Sequence, residues 1–236
     1  MIKNNLILAY FLYFCIFNQS LNCTRVLSYS VKEIYYTLQG EGHHSGRSSV
    51  FLRFSGCNLW SGREEDRSKA ICQFCDTDFW GVDGENGGKF KDAQALVDHV
   101  DKLFPQDSQY KYVVCTGGEP MLQLDKSLVE AFHQRGIEVG IETNGTIAID
   151  IDIDWICVSP KENTVIEQRK GNELKLVYPQ GNMDPSDWED LDFDYFLLSP
   201  MDNVDQAANI KACMEYCMAH PKWRLSLQTH KILDIK

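Results

Sequence analysis

Tyr112-Val113-Val114-Cys115-Thr116-Gly117-Gly118-Glu119-Pro120 is a short apolar run that breaks abruptly into threonine, two glycines, a glutamate and a proline. A run of that length, bounded by turn residues, reads as a buried strand that ends in a polar loop. A helical pattern follows at Leu124–Gln134. The same alternation extends in both directions. Strands are expected at Val50–Phe54, Tyr112–Cys115, Ile137–Ile141, Trp155–Val158, Glu173–Val177, Tyr195–Leu198 and Arg224–Leu227. Helices are expected at Asp92–Phe104, Leu124–Gln134 and Asp205–Ala219, the last stopped by His220-Pro221. The connections among the third, fourth and fifth of these strands are too short for full helices. The expected fold is therefore α/β, with a parallel sheet in a partial, TIM-like barrel with reduced helices.

The strand ends carry the unusual residues. Ser55-Gly56-Cys57, Thr116-Gly117-Gly118-Glu119-Pro120, Glu142-Thr143-Asn144-Gly145, Ser159-Pro160-Lys161, Ser199-Pro200-Met201-Asp202 and Gln228-Thr229-His230 each follow a strand. Ligands of parallel α/β folds sit at the carboxyl ends of strands, where loops from different strands converge. Turn chemistry explains any one of these segments; six together point to a shared pocket.

The chain has 236 residues, 44% of them apolar, and a net charge of −11. That length suits one folded domain of roughly 150 residues or somewhat more. The acidic balance argues against a nucleic-acid or anionic-membrane surface, which would need clustered Lys and Arg. A small-molecule substrate and a cytoplasmic location are expected. Leu6–Phe17 is an apolar run of twelve residues, short of the roughly 20 that span a bilayer. Its thin basic flank and the lack of a small-residue cleavage site make it a poor export signal. Residues 1–26 are expected to be an extension outside the core, arising from an upstream start or a signal-like segment, with the working domain at 27–236.

Nine cysteines are present. Cys115 and Cys157 end apolar runs and Cys213 and Cys217 share a helix face, so these four read as packed small hydrophobes. Cys57, Cys72 and Cys75 lie in a polar, glycine-flanked stretch, with fourteen residues and then two between them. Cys72 and Cys75 can place two thiolates on one metal centre. Three thiolates suit a four-iron cluster with one iron left open. A zinc site would need His43, His44 or Cys115 as its fourth ligand, and the cysteines alone leave both readings open.

The cysteine triplet with Phe74 before its last member, followed by Thr116-Gly117-Gly118-Glu119-Pro120, resembles the radical S-adenosylmethionine superfamily. The gap between Cys57 and Cys72 departs from the short spacing usual there and narrows the match. Tyr36-Thr37-Leu38-Gln39-Gly40-Glu41-Gly42, Arg53-Phe54-Ser55-Gly56-Cys57-Asn58-Leu59-Trp60-Ser61-Gly62, Cys75-Asp76-Thr77-Asp78-Phe79 and Gln228-Thr229-His230-Lys231 make the chain similar to the family of 7-carboxy-7-deazaguanine synthases. The similarity runs from about Val31 to the C-terminus.

The resemblance implies a carbon–nitrogen lyase that contracts 6-carboxy-5,6,7,8-tetrahydropterin to 7-carboxy-7-deazaguanine with loss of ammonia, in queuosine and related 7-deazapurine biosynthesis. It implies reductive cleavage of S-adenosylmethionine to a 5′-deoxyadenosyl radical, hydrogen abstraction from C6 of the pterin, and return of hydrogen to regenerate the cofactor. Cys57, Cys72 and Cys75 would hold a 4Fe-4S cluster, and Thr77 would ligate Mg²⁺ beside the substrate carboxylate. Leu38, Gln39, Gly40, Glu41, Arg53, Thr116, His230 and Lys236 would bind substrate, Lys236 by its backbone or terminal carboxylate. Read alone, Arg53 is equally an ion-pair partner and Thr77 a turn residue. Gly118, Glu142, Ser159, Pro160, Lys161, Ser199, Pro200, Met201 and Asp202 would line the S-adenosylmethionine side, with Ser199 a departure from the glutamine of the family. The charged run Arg63–Arg67 reads as a solvated insertion. The expected partners are an electron donor such as flavodoxin or ferredoxin and a second copy in a homodimer. A glycyl-radical-enzyme activase and a zinc-stabilised binding module are the alternatives.

Overall fold

The computed structural model describes residues 28–236. The extension expected at 1–26, with Cys15 and Cys23, lies outside the described residues. One nine-stranded sheet runs in the order β3-β1-β2-β4-β5-β6-β7-β8-β9. The strands are β1 Tyr29–Leu38, β2 Ser48–Phe54, β3 Gly88–Phe90, β4 Lys111–Gly117, β5 Ile137–Thr143, β6 Trp155–Val158, β7 Lys170–Tyr178, β8 Asp192–Pro200 and β9 Trp223–Leu225. From β2 through β9, omitting β3, all neighbours pair parallel. These are the seven strands expected from the sequence. β1 and β3 extend the sheet antiparallel beyond β2. Among the described residues β3 and β9 are the edges, so the sheet is open and does not close into a barrel.

Of the four α-helices among the described residues, three coincide with the helical patterns: α1 Ala93–Asp101, α2 Lys126–Gln134 and α3 Gln206–Ala219. α4, Thr229–Leu233, is the short C-terminal addition. Asp92 accepts from Ala95 N at 2.8 Å and Asp125 from Leu128 N at 2.9 Å, each satisfying an orphan N–H of the first helical turn. Leu96, Val97 and Val100 of α1 and Leu128, Val129 and Phe132 of α2 are buried against Ile34, Leu52, Val113 and Val139. A second core gathers Leu174, Leu176, Phe196, Leu198, Cys213 and Trp223 under α3. Cys115, Cys157 and Cys213 are buried in the manner of small hydrophobes. No α-helix covers the links β5–β6, β6–β7 and β7–β8, where turns and one 3-10 turn suffice.

Candidate active site

Two adjoining cavities, about 280 and 190 Å³, open at the carboxyl ends of the parallel strands. They share Glu41, Asp76, Thr77, Thr116, Glu142 and Gln228 as common walls, which makes them two lobes of one cleft. The first lobe is lined by Leu38, Gln39, Gly40, Glu41, Arg53, Thr116, His230 and Lys236, every residue the resemblance assigned to substrate. The second is lined by Cys72, Cys75, Gly118, Glu142, Ser159, Lys161, Ser199, Pro200, Met201 and Asp202. Thr77 faces both. Pro160 does not line the cleft: it is buried, and its carbonyl accepts from Gln180 Nε2 at 3.3 Å, so it props the Ser159–Lys161 loop from behind. Cys57 also stands off the lining.

The first lobe is assembled by the chain's two ends. Gln39 Nε2 donates to Glu142 Oε1 at 3.0 Å, and Gln39 Oε1 accepts from Glu41 N at 3.1 Å. The amide thus braces the loop as well as facing the lobe. Gly40 O accepts from Thr229 N and Thr229 Oγ1, both at 2.9 Å. A side chain on Gly40 would collide with the His230 imidazole, whose Cγ lies 2.7 Å from the position of such a Cβ. Glycine is required here so that His230 can close over the loop. Gln228 Nε2 holds Glu41 Oε1 at 3.0 Å, and Gly42 N donates to Ser226 Oγ at 2.8 Å.

Arg53 leaves the end of β2 and is half-buried. Its Nε donates to Glu33 Oε1 at 2.9 Å and its Nη2 to the Tyr35 hydroxyl at 3.1 Å. Arg53 is thus half of a half-buried ion pair and also lines the cleft. Burial opposes its charge, but Tyr35 and Glu33 more than restore it. Lys236 O accepts from Thr37 Oγ1 at 2.7 Å, and Lys236 Nζ stands 2.6 Å from Glu85 and 3.8 Å from Glu33.

The cysteine loop is braced from several sides. Leu59 N donates to Cys57 Sγ at 3.4 Å, and Arg67 donates to the carbonyls of Gln73 and Cys75 at 2.9 and 3.0 Å. The Arg67 guanidinium also lies 4.1 Å over the Trp60 ring. The expected solvated insertion is a 3-10 turn, Glu64–Lys69. Glu64 and Glu65 face solvent as expected, whereas Arg67 folds back on the loop. Glu119 N donates to Gly56 O at 2.9 Å, and a Cβ on Gly118 would stand 2.7 Å from Cys57 Cβ. The Gly-Gly-Glu-Pro edge therefore seats directly against the Cys57 turn.

Burial pushes the Cys57 and Cys72 thiols up, and N–H groups of Leu59 and Trp60 partly offset this at Cys57. Among the described residues no three His, Cys, Asp or Glu side chains stand at the spacing of ligands to one metal ion. A cubane cluster takes one thiolate on each of three irons, so its ligands stand farther apart than those of a single ion. Three half-buried or buried thiols with backbone N–H donors and the cationic Lys161 beside them fit such an anionic cluster.

Lys161 Nζ donates to Ser159 Oγ and Ser159 O, both at 2.7 Å. Burial holds its ammonium below the ordinary lysine value, with Cys72 and Cys75 opposing. Glu119 is wholly buried and accepts from Thr143 Oγ1 and Asn144 N at 2.8 Å and Met121 N at 3.0 Å. Burial raises its carboxyl despite these bonds.

Lys175 and Lys231 are among the site residues that were not anticipated. Lys175 is buried in β7 and bridges Glu41 Oε2 at 2.7 Å and Glu142 Oε2 at 3.5 Å. Lys231 joins Asp76 at 2.9 Å and also Asp202. Lys175 had a legible signal. A strand buried on both faces should be nearly all apolar, yet Glu173 and Lys175 alternate with Leu174 and Leu176.

Comparison with known proteins gives this geometry a family. The radical SAM superfamily matches residues 67–155. The chain is 58% identical over 209 residues to the 7-carboxy-7-deazaguanine synthase of Burkholderia multivorans, spanning 89% of this chain and 100% of that protein. It is 54% identical to the enzyme of the same name from Caulobacter vibrioides, and 50% to that of Nitratidesulfovibrio vulgaris, at the same coverage. The crystal structure of QueE from Escherichia coli superposes with a TM-score of 0.63 at 24% identity, covering 85% of this chain and 93% of that one, and shares the fold. The relatives support neither the activase nor the zinc-module alternative. The chain belongs to the 7-carboxy-7-deazaguanine synthase family of the radical SAM superfamily.

Proposed function

We propose that this chain contracts 6-carboxy-5,6,7,8-tetrahydropterin to 7-carboxy-7-deazaguanine in its two-lobed cleft, with Cys57, Cys72 and Cys75 holding the 4Fe-4S cluster. When bound, the cluster supplies the electron that splits S-adenosylmethionine. The single observation that carries this reading is the cleft itself: thiols and strand-end loops line one lobe, carboxylates and Arg53 line the other, and six residues wall both.

The chain's own residues position, pair charge and exclude water. Gly118 lets the β4 edge approach the methionine part of the cofactor. Ser159, Lys161 and Ser199–Asp202 line the nucleoside side, and Glu142 faces the ribose from the wall common to both lobes. Gln39, Gly40 and Glu41 read the pterin edge, whose N–H groups require acceptors. Arg53 supplies a planar fork for the substrate carboxylate. Thr77 contributes an oxygen ligand to Mg²⁺ beside that carboxylate. Thr116 and His230 close the lobe, with Lys236 at its rim. A flavodoxin- or ferredoxin-type donor delivers electrons, and the active form is a homodimer.

The test is an anaerobic assay with the carboxylated tetrahydropterin, S-adenosylmethionine and dithionite, with and without Mg²⁺. Formation of the deazaguanine with recovery of intact S-adenosylmethionine is expected, and Mg²⁺ should accelerate it. Consumption of S-adenosylmethionine without deazaguanine would refute the reading.

A further inference from the structure

At the wall between the lobes, one cation serves two carboxylates. Lys175 Nζ stands 2.7 Å from Glu41 Oε2 and 3.5 Å from Glu142 Oε2, and Lys175 and its two partners lie on β7, on the loop after β1 and at the end of β5. Glu41 is held further by Gln228, and Glu142 by Gln39. Each of the four carboxylate oxygens carries one of these partners and keeps room for a second donor, and both side chains line the cleft. From this geometry we infer that Lys175 is a positioning residue that keeps Glu41 and Glu142 jointly ionised as acceptors for the pterin edge, coupling the substrate lobe to the cofactor lobe. This rests on the function proposed above and deepens it.

Without the cation, two carboxylates in one partly desolvated wall share a proton, because burial and like charge both disfavour the doubly ionised state. A protonated carboxyl turns an acceptor into a donor and faces pterin N–H groups with the wrong polarity. The charges around Lys175 agree with this role. Burial opposes its ammonium, but Glu142, Glu41, Cys157 and Glu173 hold it well above the ordinary lysine range. Burial likewise pushes the Glu41 carboxyl up, and Lys175, Gln228 and His230 bring it below its ordinary value. Tyr112 faces Glu142, and Lys161 faces Lys175 from the neighbouring loop, so these groups complete the set whose titration bears on the wall. Glu173 is committed elsewhere, accepting from His43 N at 2.8 Å, which leaves Glu41 and Glu142 as the pair served from the cleft side.

The experiment compares cluster-loaded wild type with Lys175→Met, Lys175→Gln, Lys175→Arg and the double variant Glu41→Gln/Lys175→Met. Pterin binding is titrated without reductant between pH 6 and 9, alongside kcat and KM under turnover. The neutral variants should weaken pterin binding and raise KM by about tenfold or more near neutrality. Their binding should improve as pH rises and the shared proton leaves, an ionisation absent from wild type. Lys175→Arg should restore the flat profile. The double variant should show a smaller new ionisation, because Glu41 no longer adds its charge and Glu173 is then the one carboxylate left beside Glu142 on that wall. Unchanged binding and a flat profile in the neutral variants would overturn the inference. So would failure of both neutral variants to fold, which would assign the charge to the fold rather than the cleft. Wild-type protein that does not turn over pterin removes the function proposed above; normal wild-type turnover with indifferent Lys175 variants removes this inference alone.

Discussion

The cofactor lobe draws mainly on β4, β5, β6, β7 and β8, strands that neighbour one another in the sheet. The substrate lobe joins the loop after β1 and the end of β2 to the segment from Gln228 to Lys236, parts from opposite ends of the chain. The cofactor side relies on backbone approach, loop turns and thiols. The substrate side relies on paired charges: Arg53 with Glu33, Lys175 with Glu41, Lys231 with Asp76. A lobe made by the sheet is rigid wherever the sheet is rigid. A lobe made by a terminal strap is only as well ordered as the contacts that hold the strap down, so the two should fail differently under mutation.

Removing a thiol tests the cofactor side most severely. Cys72→Ala should abolish cluster loading, seen as lost iron, lost sulfide and lost visible absorbance, and should leave no measurable turnover. Gly118→Ala comes next. Its Cβ would collide with the Gly56 carbonyl and stand 2.7 Å from Cys57 Cβ, and neither is the free end of a flexible side chain. The expected cost is about 1–3 kcal/mol of stability in a chemical denaturation titration, with weaker cluster retention. Gly40→Ala is the paired control in the other lobe. It meets only the His230 side chain, Cβ included at 2.8 Å, so the cost falls on the terminal strap: it should raise the pterin KM and leave cluster content at the wild-type level. Equal damage to both lobes by either glycine variant would dissolve the distinction.

Much of this division is legible in the amino-acid sequence, and the exceptions have physical causes. The seven parallel strands announce themselves as short apolar runs between turn residues, and α1 and α2 by their period and aspartate caps; α3 has a weak period and no side-chain cap, and is marked by its His220-Pro221 stop. β1 does not. Its pairing with β2 shifts register between Val31 and Glu33, so apolar residues fall out of strict alternation and no strand period survives in Tyr29–Leu38. β3 has three residues, too few for any period. The cysteines and Gly-Gly-Glu-Pro carry the cofactor side in contiguous motifs. The substrate side depends on contacts between residues nearly two hundred positions apart, such as Gln228 with Glu41 (|i−j| = 187). Spacing carries no trace of such contacts, and there only the family resemblance supplied the roles. For Lys236 it gave a contact through the backbone or terminal carboxylate, and the oxygen of that residue accepts from Thr37 Oγ1 here.

Arg53→Ala measures the charge-pair character of the substrate side. The variant removes a charge-assisted donor and strands Glu33, whose remaining cation is Lys236 at 3.8 Å. The pterin KM should rise about tenfold or more, equivalent to about 1.4 kcal/mol, while S-adenosylmethionine binding holds steady. An unchanged KM would reduce Arg53 to its pair with Glu33.

Lys231→Met should have the smallest effect and says the most about the strap. Lys231 ties the C-terminal helix α4 to Asp76, next to Thr77, and to Asp202 at the end of β8, so it pins the strap to both lobes. All three side chains are a third or more exposed, so the pair is screened and worth at most about 1 kcal/mol of global stability. The pH window follows from the two shifts. Burial pushes the Asp76 carboxyl up, but Lys231 brings it below its ordinary value, so its contribution is present above the unfolded-state pKa and is lost as pH falls through the folded one. Burial lowers the Lys231 ammonium, but Asp202 and Asp76 raise it above its ordinary value, so its contribution persists until pH climbs past that raised value. Across the neutral range the strap is therefore held at constant strength, and pH should not open it between about 5 and 9. Lys231→Met should speed amide exchange across residues 226–236 at every pH in that window. It should raise the pterin KM by about two- to fivefold and leave the melting temperature within a few degrees of wild type. A strap that exchanges no faster in this variant would mean that Thr229 on Gly40 and Gln228 on Glu41 hold it unaided, and the substrate side would then owe its order to hydrogen bonds rather than to charge.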